Sequence, residues 1–201
     1  MIKVIIFDAD GMIINRPCRF SERLSKDYEV NREVVNSFFE NEFQAVEIGK
    51  ADLKEELEKV ISKWNWKKSI DDLLRYWFET EHYLDARLVA SVKNLKNRGL
   101  KCYLATNQEK YRVKYMRREM GLAELFDEVF VSCEIGYMKP SMQYWNSVNE
   151  SLGNLNKNEV LVWDDEPRAV SGAKDFGLNA ELYTNFEDYE RVLNDYLNNQ
   201  G

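Results

Sequence analysis

The opening stretch, MIKVIIFDADG, constrains the fold of this chain more than any other. Ile2, Val4, Ile5, Ile6 and Phe7 make a continuous apolar run, the kind of strand that is buried on both faces of a parallel sheet. The run ends on two carboxylates, Asp8 and Asp10, with a turn-making glycine, Gly11, directly behind them. Two like charges about 4 Å apart cost on the order of 4 kcal/mol at an effective dielectric near 20. A fold that keeps both needs something to offset that cost: a bound cation, a shared proton or exposure to water.

Four further strand signals follow, at residues 100–105, 128–132, 160–163 and 178–183. Helical patterns separate them at 86–98, 109–120, 141–152 and 167–176, each followed closely by a glycine (Gly99, Gly121, Gly153, Gly177) suited to ending a helix. Alternating strands and helices predict an α/β fold with a doubly wound, Rossmann-like parallel sheet. Between Ile14 and Asp85 the rhythm breaks. Only helical periodicity is found there, over 32–48, over DLKEELEKVISKW from Asp52, and over SIDDLLRYWF from Ser69. The last two open with capping-box spacing, Asp52 with Glu55 and Ser69 with Asp72. The expected organisation is therefore an α/β core over 1–16 and 86–201, with a small all-helical insert over 17–85 lying above the end of the first strand.

Composition narrows the function classes. With 44% apolar residues, 10 Phe, 11 Tyr and 5 Trp, the chain has ample material for a packed core. Its net charge of −7 disfavours an electrostatic nucleic-acid surface. No apolar run approaches the ~20 residues that span a bilayer, and the first residues read as a strand and not as a signal peptide. Cys18, Cys102 and Cys133 are odd in number, widely spaced and free of CxxC pairing, which points to reduced thiols and a cytoplasmic setting. His82 is the only histidine, so carboxylates, Lys, Thr and Ser must carry any chemistry.

In open α/β sheets ligands bind at the carboxyl ends of the strands. Those ends carry Asp8 and Asp10, then Thr106, Asn107 and Gln108, then Lys139 in EIGYMKPS, then Asp164, Asp165 and Glu166. Taken singly, each has a plain structural explanation. DxDG is often a solvated turn, TNQE (Thr106 to Glu109) reads as a capping box for the next helix, Lys139 as a surface lysine, and Asp165 as a cap for the helix after Pro167. Together they gather carboxylates suited to a hard cation such as Mg²⁺ with a hydroxyl and an ammonium suited to phosphoryl oxygens.

This ordered set resembles the haloacid dehalogenase superfamily, in its phosphatase branch with a helical cap inserted after the first motif. FDADG looks like the first motif, LATN the second, GYMKP the third and VLVWDDEP the acidic fourth. The resemblance implies Asp8 as nucleophile and Asp10 as general acid and base. It implies Thr106, Asn107 and Lys139 as phosphate ligands. Mg²⁺ would lie on Asp8, the Asp10 main-chain carbonyl and Asp165, with Asp164 ligating or supporting. The family's dehalogenases lack an aspartate at the position of Asp10, so its presence favours phosphate chemistry. Met12 stands where the family usually has Thr or Val, and Ala169 where Asp or Asn is common.

The expected function is a Mg²⁺-dependent phosphomonoester hydrolase for a small phosphorylated metabolite. A phosphomutase shares every core residue. A receiver-like phosphoacceptor also combines acidic residues, Thr or Ser and Lys on such a sheet, but lacks an aspartate two residues after the acceptor and any large helical insert. An inert binding descendant would have little reason to keep all four motifs. Specificity is expected in the insert and in NRPCRF, with Arg16, Arg19, Glu47 and Lys50 as candidates.

Overall fold

The computed structural model describes residues 1–198. Five strands form one parallel sheet: β1 (Val4–Phe7), β2 (Lys101–Thr106), β3 (Glu128–Val131), β4 (Val160–Asp164) and β5 (Asn179–Leu182). Their order across the sheet is β3-β2-β1-β4-β5, with β1 central. Val4 to Phe7 pair in register with Lys101 to Leu104 on one side and with Val160 to Trp163 on the other. Every residue of β1 is buried. Ile5 and Phe7 enter one core cluster, while Val4 and Ile6 enter another on the opposite face, which is why the strand reads as a continuous apolar run.

Five longer helices cover the two faces. One face packs against α6 (Ala86–Asn97), α7 (Lys110–Arg118) and α12 (Phe186–Asn198); the other against α10 (Met142–Ser151) and α11 (Pro167–Phe176). Two single-turn helices, α8 (Leu122–Leu125) and α9 (Ser132–Ile135), flank β3. Cys102 is fully buried among apolar neighbours, the role its strand position suggests, and all three cysteines are free thiols. Met12 is likewise fully buried in the first core cluster. Among the described residues no helix is long and apolar enough to cross a membrane.

The helical segment contains α1 (Phe20–Tyr28), α2 (Arg32–Glu40), α3 (Phe43–Glu47), α4 (Leu53–Val60) and α5 (Ile70–Thr80), with a 3-10 turn over Ile61–Trp64. The periodicity over 32–48 is thus carried by two helices with a break between them, and that over 52–64 ends in the 3-10 turn. Asp52 and Ser69 cap α4 and α5, each accepting backbone N–H groups through its side chain. These helices own a separate apolar cluster in which Phe20 stacks on Trp77 at 4.9 Å and Phe38 meets Trp64 edge-on at 5.5 Å. Two adjacent strands of chain join the segment to the sheet. Asn15 N donates to Tyr83 O (2.8 Å) and Asp85 N to Ile13 O (2.9 Å).

The expected capping box over Thr106–Glu109 is not formed. Glu109 itself caps α7, accepting the N–H groups of Tyr111 and Arg112, and Thr106 remains in β2. The strand runs one residue further than the periodicity indicates, because Thr106 pairs with Val131 of β3. Nor does Asp165 cap the helix after Pro167; the N-cap position belongs to Glu166.

The separate apolar cluster generates a prediction. Truncating a buried tryptophan costs about 3–5 kcal/mol, a large part of the 5–15 kcal/mol that holds a typical domain together. Trp64→Ala is expected to raise amide hydrogen exchange throughout residues 20–80 while strands β1, β2 and β4 keep their protection. Equal loss of protection in strands and insert would show that the two clusters unfold as one unit.

Candidate active site

All four strand-end groups converge. Asp8 follows β1 and is 5% exposed; Lys139, 3% exposed, follows α9; Asp164, 1% exposed, ends β4. The Lys139 ammonium lies between the two carboxylates, donating to Asp8 Oδ1 at 2.5 Å and to Asp164 Oδ2 at 2.6 Å. The other oxygen of Asp164 accepts the N–H of Glu166 (2.9 Å). Burial lifts Asp8 well above the ordinary carboxylate range; Lys139 counteracts this, while Asp164 and Asp10 add to it. Burial opposes the charge on Lys139 too, yet Asp8 and Asp164 together hold it above the usual ammonium range.

Asn107 serves the same loop in an unexpected way. Its side-chain carbonyl accepts the backbone N–H of Lys139 (2.9 Å), and its amide nitrogen is the atom able to donate to a ligand oxygen. Thr106 is 1% exposed and lines the pocket around Asp8 and Lys139.

Two adjoining cavities share a boundary. The inner one, about 300 Å³, is lined by Asp8, Thr106, Lys139, Asp164, Asp165 and Glu166 among others. The outer one, about 230 Å³, lies against the helical segment and has Phe20, Phe39, Phe43 and Trp77 on one side. Asp10, Arg16, Glu47 and Asn107 line both. Burial, with Glu166 and Asp10 nearby, pushes Glu47 up to about 7. Arg19 reaches the outer cavity, whereas Lys50 lines a different surface groove with Asp52 and Glu55 and touches neither.

The inner pocket carries six carboxylates (Asp8, Asp10, Glu47, Asp164, Asp165, Glu166) against two cations, Arg16 and Lys139. Asp8, Asp164 and Asp165 each offer an oxygen within 4.8 Å of the others. Hard oxygen donors in negative excess fit a divalent cation such as Mg²⁺. Gly11 gives the clearest sign that this arrangement is built. Its φ of +82° is one that glycine tolerates, and a Cβ there would lie 1.8 Å from Asp165 Oδ2.

Two buried polar residues, Arg112 and Glu81, escaped the sequence reading, and Gln108 was placed at a strand end without a role. Gln108 (3% exposed), Arg112 (5%) and Glu81 (4%) surround Asp10. A signal for Arg112 existed: it falls on the apolar stripe of α7, beside Val113 and four residues before Met116, where a solvated arginine has no place.

With this geometry established, comparisons identify the scaffold. A family model of haloacid dehalogenase-like hydrolases matches residues 2–177. The chain belongs to that family. A full-length relative, the provisionally named phosphatase YhcW of Bacillus subtilis, is 25% identical over 231 residues, covering 100% of both chains. A HAD-like family hydrolase of Porphyromonas gingivalis superposes with a TM-score of 0.83 at 20% identity, covering 100% of both chains. The HAD family enzyme bt-2542 of Bacteroides thetaiotaomicron, solved with magnesium and inorganic phosphate, gives 0.80 at 18% identity, covering 96% of this chain and 99% of that one. At these identities the superpositions establish the shared fold; the reaction has to be argued from the site.

Gly11→Ala tests the cation cradle. The substitution forces Asp165 aside and strains a left-handed residue at a cost of order 1–3 kcal/mol. Mg²⁺ affinity measured by titration calorimetry is expected to fall at least tenfold while the protein stays folded. Unchanged Mg²⁺ affinity would show that Asp165 takes no part.

Proposed function

We propose that this hydrolase is a Mg²⁺-dependent phosphomonoesterase acting on a small phosphorylated metabolite through an aspartyl-phosphate intermediate. One observation carries the reading: Asp8 lies in the inner pocket with Lys139, and Asp10 stands at the boundary with the outer cavity. A phosphoryl group in the inner pocket meets a carboxylate nucleophile and an ammonium. The leaving oxygen then falls at the boundary, where a proton is needed.

In the first half-reaction Asp8 attacks phosphorus while Asp10 delivers a proton to the departing alcohol. In the second, Asp10 takes a proton from water, whose oxygen displaces the Asp8 carboxylate from phosphorus. Lys139, Thr106 and the Asn107 amide nitrogen orient the phosphoryl oxygens. Asp8, the Asp10 main-chain carbonyl and Asp165, with Asp164 in support, would hold Mg²⁺, which would supply the positive charge that lets an anionic phosphate approach a carboxylate. The helical segment acts as a cap that excludes bulk water from the boundary. An outer cavity of about 230 Å³ is smaller than the ~300–1,000 Å³ of common ligand sites, which favours a compact alcohol as leaving group. Three free thiols fit a reducing, cytoplasmic setting. The acidic balance of the chain opposes a nucleic-acid partner.

A panel of phosphorylated metabolites assayed for phosphate release with Mg²⁺ and with excess chelator tests the reading. Chelator is expected to abolish turnover and Mg²⁺, but not Ca²⁺, to restore it. Asp8→Asn should eliminate turnover, and Asp10→Asn should lower it about 10²–10⁴-fold for alkyl phosphates but far less in the first step for aryl phosphates. Aspartyl phosphate on Asp8 should then accumulate and be visible by mass. Wild-type rates in Asp8→Asn, or turnover undiminished in chelator, would overturn the assignment; isomerised product in place of free phosphate would make the enzyme a mutase.

A further inference from the structure

Asp10 is held far more tightly than a simple proton donor requires. Its Oδ1 accepts from two guanidinium groups at once, Arg16 Nη1 at 2.6 Å and Arg112 Nη2 at 2.8 Å. Among the described residues its Oδ2 accepts only from the neutral amide of Gln108, at 3.0 Å. Arg112 turns its other terminal nitrogen to Glu81 Oε2 (3.0 Å), and Glu81 Oε1 lies 3.3 Å from Arg16 Nε. The four side chains therefore close into a ring of alternating charge, Asp10–Arg112–Glu81–Arg16. Its members come from the loop after β1, the first link to the cap, the end of α5, and α7.

Glu81 is anchored as well. It accepts the backbone N–H of Phe20 at 3.0 Å and Trp77 Nε1 at 2.9 Å, and so ties the start of α1 to the end of α5. Gln108 is fixed from behind, with its N–H on Ser132 Oγ (2.8 Å) and its Oε1 accepting the N–H of Glu109 (3.2 Å). A structural staple between cap and core would need only the buried Arg112–Glu81 pair. The second set of contacts, converging on one oxygen of the residue at the cavity boundary, calls for a chemical reason.

We infer that Arg112, clamped by Glu81, is a positioning residue for proton transfer, selecting which oxygen of Asp10 carries the proton. Oδ1, committed to two cationic donors, is the hydrogen-bond anchor. Oδ2 is the oxygen that exchanges protons. In the first half-reaction the Oδ2–H bond breaks, its proton passes to the leaving oxygen, and the electron pair of the phosphorus–oxygen bond stays with the alcohol. In the second, a proton of water passes to Oδ2 as the water oxygen bonds to phosphorus and the Asp8–phosphorus bond breaks. Because Glu81 joins both ends of the cap, the aim of Oδ2 depends on the placement of the cap. This inference rests on the phosphatase reading above.

The test compares an alkyl phosphate with an aryl phosphate, whose leaving group hardly needs a proton. Arg112→Gln is expected to lower kcat on the alkyl substrate about 10²-fold, the scale of loss from misplacing a catalytic group, and on the aryl substrate only several-fold, with little change in KM. Arg112→Lys should recover part of the alkyl rate by restoring a charged donor. Arg16→Gln removes the other contact on the same oxygen from a partly exposed position. It keeps the question answerable if Arg112→Gln fails to fold, and it should shift the alkyl-to-aryl ratio in the same direction. Equal losses on both substrates in the folded variants would overturn the inference, since a merely structural role affects both alike. Should the wild-type protein release phosphate from neither substrate with Mg²⁺, the phosphatase reading falls first. Should Asp10→Asn show leaving-group dependence while the arginine variants show none, this inference alone falls.

Discussion

The Lys139 ammonium between Asp8 and Asp164 is the interaction around which the sheet edge is arranged. A buried lysine is costly unless paired, and two buried carboxylates are costly unless neutralised. Each group here supplies what the others lack. To bring them together the chain aligns the ends of β1 and β4 through Asp8 N donating to Trp163 O (2.9 Å). It holds the lysine loop with the Asn107 carbonyl. It also lets α11 approach that loop at Gly172, where a Cβ would lie 2.6 Å from Pro140 O. The central place of β1 follows. Only a strand flanked on both sides can present its terminal carboxylate to groups carried by β2 and β4 together.

Filled by one lysine, the site remains short of positive charge, and this shapes the rest of it. Asp165 is left facing Gly11 and the inner pocket while Asp164 serves Lys139. The two consecutive aspartates thus divide the work, one satisfied internally and one presented outward. Family members often place a further acidic or amide side chain where Ala169 stands. Here that position is fully buried and apolar, and Asp164 supplies the second contact to Lys139.

Much of this was legible in the sequence, and for a physical reason. Strands buried on both faces leave long apolar runs, so β1, β2 and β4 fall within a residue or two of their expected bounds. Polar residues at the ends of several such runs point to a site when taken together, although each alone has a plain structural explanation. The helical segment was legible as periodicity but not as separate helices, because the chain breaks between α2 and α3 without a proline or glycine to announce it. TNQE misled because a capping-box pattern says nothing about whether the strand before it has ended; sheet pairing claimed Thr106, and Glu109 became the cap. The ring around Asp10 was invisible because its members are spread between residues 10 and 112 and meet only once the helical segment is folded against α7. Glu81 looks like an ordinary surface charge until its helix is oriented, and only the place of Arg112 on the apolar stripe of α7 marks it as buried.

The two carboxylates that open the chain end in different surroundings although one residue separates them. Asp8 directly follows an extended, fully paired strand, and its partners belong to the core: Lys139 and, through it, Asp164. After Ala9 the backbone turns back on itself, with Ile14 N donating to Ala9 O (2.7 Å) and Gly11 N to Ile14 O (3.0 Å). That turn carries Asp10 out of the strand to the side where the helical segment begins, and its partners come from the link, from the Gln108 loop and from α7. Repulsion between the pair is thereby offset twice, by an ammonium on one side and by guanidinium groups on the other. On the proposed reading, Asp8 as nucleophile stays on the rigid sheet to attack in line, whereas Asp10 as proton donor follows the leaving group, whose cavity borders the helical segment. The turn at residues 9–14 separates those demands, and it explains why the strand runs straight into the charges instead of ending before them.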